Sequence, residues 1–304
     1  MKTLGIIDIG SNSIKLIIVE INKNSYKEIF HKKFQTRLSQ YMEKESKNLC
    51  EEGIKKFFNI IYTFKRACDN YNCDEIIAVA TETFRQLSNS NEIIDDILSK
   101  LDVKIKILSA DEECYFGYFS SIPKDLYDYV HIDMGGGSVE IGLVKNRNLV
   151  ESVSIPMGAF KMTKKFHIDN NISHEDEVHI QEYVYNKLNN IEWIDKCKNL
   201  PAVAIGGSIK TIGRLHQQQQ NVTSNIHGYK LFSHDLEFLI HKITPLSLDE
   251  ITSTTGLSKT RGDILLGALL TLNSIISYLQ SPKIIISKYT IREGILNYYM
   301  KNNS

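Results

Sequence analysis

The chain has 304 residues, enough for two domains of ordinary size, and its 42% hydrophobic and 24% charged residues are the balance of a soluble globular protein. Its 36 basic and 36 acidic residues cancel to a formal net charge of zero, so no global field draws in polyanions and a general nucleic-acid binder is disfavoured. Five cysteines (Cys50, Cys68, Cys73, Cys114 and Cys197) without a CxxC pair read as reduced thiols, Asp8 interrupts the apolar start, and no apolar run approaches the ~18 residues of a membrane span, so a cytoplasmic protein without a membrane partner is expected.

In chain order, Thr3 to Asp8 reads as a strand, Gly10 to Ser13 as a tight polar turn, Ile14 to Ile21 and Tyr26 to Thr36 as two more strands. From about Lys44 to Tyr71 the residues Ile54, Phe57, Phe58, Ile61 and Phe64 recur at helical spacing. A buried-type strand at Glu75–Ala80, a helix at about Asn91–Leu101, a strand at Val103–Leu108 and a helix from Asp111 to Phe119 follow. The pattern then restarts with strands at Tyr129–Asp133, Val139–Lys145 and Leu149–Pro156. Helices are expected at about Ser173–Trp193, Ser208–Gln219, His234–Ile243, Asp263–Leu279 and Ile291–Lys301, with short strands at Ala202–Ile205 and Lys283–Ser287. Three strands followed by alternating helix and strand define an α/β protein.

The restart is an internal repeat. Asp8-Ile9-Gly10-Ser11-Asn12-Ser13-Ile14-Lys15 lies over Asp133-Met134-Gly135-Gly136-Gly137-Ser138-Val139-Glu140, with Asp, Gly and Ser coinciding between apolar strands. Two copies imply two similar domains, expected at 1–122 plus 291–304 and at 123–290, with the turns facing each other across a central active-site cleft. Backbone amides in such turns can cradle phosphate oxygens, because glycine permits close approach. The pattern therefore offers Gly10, Ser11, Asn12, Ser13, Gly135, Gly136, Gly137 and Ser138 as phosphate contacts, and the strand-end carboxylates Asp8 and Asp133 as holders of a cation or of water. Lys15 and Glu140 share one repeat position: one half presents a cation for phosphate, the other a second carboxylate beside Asp133. Asp133 with Glu140 suits Mg²⁺, which favours one or two carboxylates with waters and substrate oxygens. A third turn, Gly206-Gly207-Ser208, ends a strand and opens a helix, an anion site by dipole and free amides that lacks the Lys-Ser/Thr ending of a P-loop.

With these residues in view, the run Ile7–Ser13 resembles the first phosphate motif of the exopolyphosphatase/guanosine-pentaphosphate phosphatase (Ppx/GppA) family, and Ile132–Glu140 its second. Ala80-Thr81-Glu82-Thr83-Phe84-Arg85 with Asn89 is similar to its ATxAxR…N segment, Ser109–Glu113 to its SGxEEA element and Arg292-Glu293-Gly294 to its REG. The five matches are collinear over nearly the whole chain. The resemblance implies the actin/sugar-kinase/heat-shock-chaperone superfold with duplicated ribonuclease-H-like domains, and Mg²⁺-assisted attack of water on a terminal phosphoryl group. Glu113 is then the base, Arg37 and Arg85 are phosphate-binding, and Asp8, Asp133 and Glu140 hold the metal. Inorganic polyphosphate is the expected substrate and guanosine pentaphosphate the alternative; relatives leave a homodimer open.

Ala110, Cys114, Lys15, Ser39 and Thr290 depart from the family's usual residues without removing a catalytic group. Lys161, Lys164 and Lys165 read as a solvated helix face, with a polyanion track as the alternative, and Arg261 and Arg292 as braces. His167, His174 and His179 read as surface residues. A nucleotide-binding switch or kinase, with Gly206-Gly207 at adenosine, and a weakly active phosphate sensor are the readings from other classes.

Overall fold

The computed structural model describes residues 2–22, 25–123, 125–168, 172–253 and 262–303. It divides into two compact units, one of residues 1–116 with 291–304 and one of residues 117–290. The division falls within a helix, ahead of the boundary expected at residue 122.

The first unit opens with an antiparallel meander of β1 (Lys2–Ile9), β2 (Ser13–Asn22) and β3 (Ser25–Gln35). A 3₁₀ turn at Leu38–Tyr41 leads to α1 (Glu51–Asn70), β4 (Glu75–Ala80), α2 (Glu82–Gln86), α3 (Ser90–Leu101), β5 (Ile105–Ile107) and α4 (Ala110–Ser120). Among the described residues five strands form one sheet in the order β3-β2-β1-β4-β5, with β4 and β5 parallel to their neighbours. Central β1 is covered on both faces, so Leu4, Ile6, Ile7 and Ile9 form a near-continuous buried run. Edge strand β3 is exposed and charged along most of its length (Lys27, Glu28, Lys32), which blunts an unpaired edge. Helix α1 buries Phe57, Ile60, Ile61, Phe64 and Cys68, a stripe at helical spacing, against the sheet face that carries Ile7, Ile9, Ile14 and Leu16. It starts at Glu51, later than the periodicity suggests, because Met42 and Leu49 bridge to each other in the segment before it.

The second unit repeats the plan. The strands β6 (Tyr129–Met134), β7 (Val139–Lys145) and β8 (Asn148–Ile155) form a second meander, followed by α5 (Ala159–Lys165), α6 (His174–Asn189), β9 (Ala202–Ile205), α7 (Gly207–Gln219), β10 (Tyr229–Leu231), α8 (Ser233–Ile243), α9 (Leu248–Ser253), α10 (Gly262–Leu279) and β11 (Ile284–Ile286). Its sheet order is β10-β11-β9-β6-β7-β8, so β8-β7-β6-β9-β11 reproduces the order of the first sheet. The short elements α2, α5, α9 and β10 have no counterpart in the expected list, since three to seven residues are too few for a period to show. Helix α10 corrects a second expectation: its 18 residues are long and apolar enough to cross a membrane. They are mostly buried in the core of this unit, where a helix packed on nearly every side becomes apolar all round.

The chain ends in α11 (Ile291–Asn302), which belongs to the first unit and packs Ile291, Ile295 and Leu296 against Leu4, Ile6, Ile17 and Val19. Arg292 Nη2 lies 4.0 Å from Glu293 Oε1 on the same helix; Arg261 lies outside the described residues.

Candidate active site

The duplicated turn folds the same way in both units. The Gly10 amide donates to Ser13 O at 3.2 Å and the Gly135 amide to Ser138 O at 3.0 Å. The segment after the third strand donates to the Asn12 carbonyl of the first turn and to all three glycine carbonyls of the second. Thr36 and Arg37 donate to Asn12 O at 3.0 and 3.2 Å; Gly158, Ala159 and Lys161 donate to Gly137, Gly135 and Gly136 O, each at 3.1 Å. The amides of Ser11, Asn12, Gly136 and Gly137, in contrast, have no acceptor among the described residues. With N–H groups left over, both turns offer donors that an anion can accept. Both amide atoms of the buried Asn12 side chain are unpaired as well. An orphaned buried group costs about 1–3 kcal/mol, and a phosphate oxygen accepting from Nδ2 would remove that cost. Arg37 holds the left-handed conformation (φ 47°) while its amide bonds the first turn, a strained non-glycine backbone at the place where the expected phosphate contact stands.

Register decides what flanks each turn. Asp8 stands directly opposite Lys15 and Asp133 directly opposite Glu140, which puts each pair on one sheet face. In the first unit the outcome is an ion pair: Lys15 Nζ reaches Asp8 Oδ2 at 3.1 Å, with Asp8 only 4% exposed. In the second it is two carboxylates. Glu140 is buried and accepts from Ser154 Oγ at 2.7 Å, and Asp133 is half-buried. Among the described residues no three His, Cys, Asp or Glu groups cluster as a metal cage. A cross-strand carboxylate pair nonetheless fits Mg²⁺, which keeps several waters and takes one or two protein carboxylates. Asp8 fits less well, because one of its oxygens already carries Lys15.

Helix α4 sorts its two adjacent glutamates. Glu112 caps the helix: it accepts from the Ser109 amide at 3.0 Å while Ser109 Oγ accepts from the Glu112 amide at 3.1 Å. Lys106, and then the Ser109 amide, hold its carboxyl below the usual range. Glu113 is buried instead and accepts from Arg85 Nη1 at 2.7 Å, and the same nitrogen donates to Leu108 O at 2.9 Å. The other N–H groups of Arg85 have no partner among the described residues. The short helix α2 therefore ties Glu113 to the first turn. From it Arg85 reaches Glu113, and Glu82, a buried carboxylate to which sequence reasoning gave no role, accepts from Ser11 Oγ at 3.0 Å and from Gln86 Nε2.

The third turn is packed onto the second. Gly206 has φ +118°, and a Cβ there would stand 2.4 Å from Met134 O, at the end of the strand that carries Asp133. Ser208 is buried, and Lys210 Nζ donates to Lys288 O at 3.1 Å. Beneath Asp133 on the same face lies His131, fully buried, with neither ring nitrogen paired and burial pushing it down to about 3. A lone histidine within a strand gives no sequence signal of that kind. The residues His167, His174 and His179 are exposed, as are Lys164 and Lys165, whose ammonium groups lie over Phe160 (5.8 Å) and Tyr183 (4.8 Å).

Two units of one sheet topology, each with the same Asp–Gly–Ser hairpin, define a protein of the duplicated actin-like superfold. The Ppx/GppA phosphatase family model matches residues 17–303, and the chain belongs to that family. It is similar to a bifunctional 3-dehydroquinate synthase/phosphatase of Fusobacterium nucleatum, 28% identical over 96% of this chain but only 46% of the relative, so it spans less than half of that protein. Exopolyphosphatase 1 of Mycobacterium leprae is 19% identical over 96% of this chain and 88% of its own length. Among solved structures, an exopolyphosphatase from Cytophaga hutchinsonii superposes with a TM-score of 0.89 (19% identity, 99% and 98% of the two chains) and the Aquifex aeolicus Ppx/GppA family member with 0.84 (21%, 100% and 99%). The chain is a hydrolase of the phosphatase type.

Proposed function

We propose that the chain is a Mg²⁺-dependent exopolyphosphatase that releases terminal orthophosphate from inorganic polyphosphate by attack of water. The observation that carries this reading is Glu113, a buried carboxylate that accepts from Arg85 of the helix that also holds the first turn. The exopolyphosphatases named among the relatives support the choice of substrate.

Phosphoryl transfer leaves the protein mainly to position groups and offset charge. Glu113 accepts a proton from water as its oxygen bonds to the terminal phosphorus, the phosphoanhydride bond breaks, and the shortened chain leaves with the bridging oxygen. Arg85 positions Glu113 in the free protein, and its remaining N–H groups can engage a phosphate oxygen. Ser11 and Asn12, and Gly136 and Gly137, supply amides to phosphate oxygens, with Ser13, Ser138 and Ser208 beside them. Arg37 and Lys15 offset the substrate's negative charge. Asp133 and Glu140 would hold Mg²⁺, which when bound offsets charge developing on the phosphoryl group.

The test is phosphate release with Mg²⁺ from polyphosphate, guanosine pentaphosphate and ATP in parallel, and again with excess chelator. Release from polyphosphate that ends on chelation is the expected result. Preference for guanosine pentaphosphate would move the assignment to a 5′-phosphatase using the same residues. No release from any of the three would refute the reading.

A further inference from the structure

We propose that Cys68 and Cys73 are a dithiol modification site, oxidised by hydrogen peroxide to an intramolecular disulfide that clamps the end of α1 to the start of β4. Cys68 is in the last turn of α1, and Cys73 lies in the turn that leads to β4. The Cys73 amide donates to Cys68 O at 2.9 Å. Traced through that bond, the path between the two Cα atoms is no longer than about 7 Å, near the upper end of the separation a disulfide spans. Both sulfurs lie over one point of the neighbouring strand. The strand beside them gives way at this point: a Cβ on Gly5 of β1 would lie 2.7 Å from Cys68 Sγ and 3.7 Å from Cys73 Sγ. A side chain at position 5 would displace the Cys68 sulfur.

The two thiols are unlike, in the way an attacking and a resolving thiol need to be. Cys68 is 1% exposed, and Cys73 is half-buried and reachable. The neighbouring Cys68 thiol draws the Cys73 thiol below its ordinary value, against burial and the Asp74 and Asp69 carboxylates. The Cys73 thiol, and then burial, push Cys68 far up. Cys73 is therefore the nucleophile and Cys68 the neutral partner at its side. Cys197 is a contrast: it is buried, and burial pushes its thiol up to about 12.

The steps balance. Cys73 thiolate attacks one peroxide oxygen, the O–O bond breaks, and the released hydroxide takes a proton to leave as water, giving a Cys73 sulfenic acid. Cys68 sulfur then attacks the Cys73 sulfur, the S–O bond breaks, and the departing hydroxide takes the Cys68 proton as a second water. Two thiols are oxidised to one disulfide by one peroxide, and a dithiol reductant reverses the change.

The test treats the folded, reduced protein with hydrogen peroxide, alkylates it with iodoacetamide and digests it with trypsin, which releases both cysteines in the peptide 67–85. We expect that peptide to lose two hydrogens, to carry no alkyl groups, and to regain both after reduction. In Cys68→Ala, Cys73 is expected to be trapped by dimedone as the sulfenic acid, as the parent is not, and to be alkylated about tenfold more slowly at neutral pH for want of its partner. The proposal is overturned if peptide 67–85 carries two alkyl groups after an exposure that fully oxidises added glutathione. It is equally overturned if the parent accumulates Cys73 sulfinic acid in place of the disulfide.

Discussion

Replacing Glu113 by Gln separates stability from chemistry. In the parent, Glu113 accepts one charge-assisted bond from Arg85 Nη1 at 2.7 Å, with the two side chains 11% and 21% exposed. The glutamine carbonyl can accept the same bond, so no buried donor is orphaned. What is lost is the charge assistance, the difference between hydrogen bonds worth about 1.5–3 and about 0.5–1.5 kcal/mol, so about 1 kcal/mol. The larger penalty of about 3–5 kcal/mol for breaking a buried pair does not apply, since Arg85 also keeps Leu108 O and some solvent. Turnover should behave differently, because an amide cannot take a proton from water. Loss of a general base lowers kcat by about 10²–10⁴-fold, or about 2.7–5.4 kcal/mol in the barrier. The assays are urea unfolding of both proteins and phosphate release from polyphosphate at saturating Mg²⁺. A variant that keeps its unfolding midpoint and retains kcat within about threefold of the parent would refute Glu113 as the base.

Gly206→Ala should destabilise the fold by about 3 kcal/mol or more, since the backbone at φ +118° disfavours any side chain and the new Cβ would meet Met134 O at 2.4 Å; an unchanged urea midpoint would contradict this. Burial lowers His131 from its ordinary 6.5 to about 3, so below pH 6.5 the unfolded chain takes up a proton that the folded chain refuses. Its contribution to stability is complete above that pH and is lost as pH falls toward 3, by about 2 kcal/mol at pH 5, and His131→Leu should remove that share of the slope in unfolding experiments at pH 7 and 5. Ser154→Ala removes the bond at 2.7 Å that orients Glu140, and should raise the Mg²⁺ needed for half-maximal activity about tenfold while leaving kcat at saturating metal near the parent value. An unchanged metal requirement would take Glu140 out of the metal site.

Much of the fold was legible because its signals are local or repeated. The apolar runs of β1, β4, β6 and β9, the stripe of α1 and the paired Asp–Gly–Ser turns each state their own structure within a few residues. The long apolar helix α10 was placed correctly as a helix but not as a candidate span, because composition alone does not distinguish a core helix from a membrane helix. A motif could name candidate site residues because it is local in sequence. The site was opaque where a role depends on a neighbour distant in sequence, as with Glu82 on Ser11 and His131 in its closed pocket.

By itself the sequence determined the α/β class, the duplication and the two Asp–Gly–Ser hairpins, since backbone chemistry and strand periodicity act over short spans of chain. Tertiary structure alone decided how like residues diverge. Lys15 and Glu140 share a repeat position, yet one neutralises Asp8 and the other adds a second carboxylate opposite Asp133. Glu112 and Glu113 are adjacent, yet one caps a helix and the other meets Arg85. Cys68 and Cys73 read as two unremarkable thiols until the end of α1 turns back and brings both sulfurs over Gly5. In each case the deciding quantity is a distance across the fold, and the composition of any one segment does not carry it.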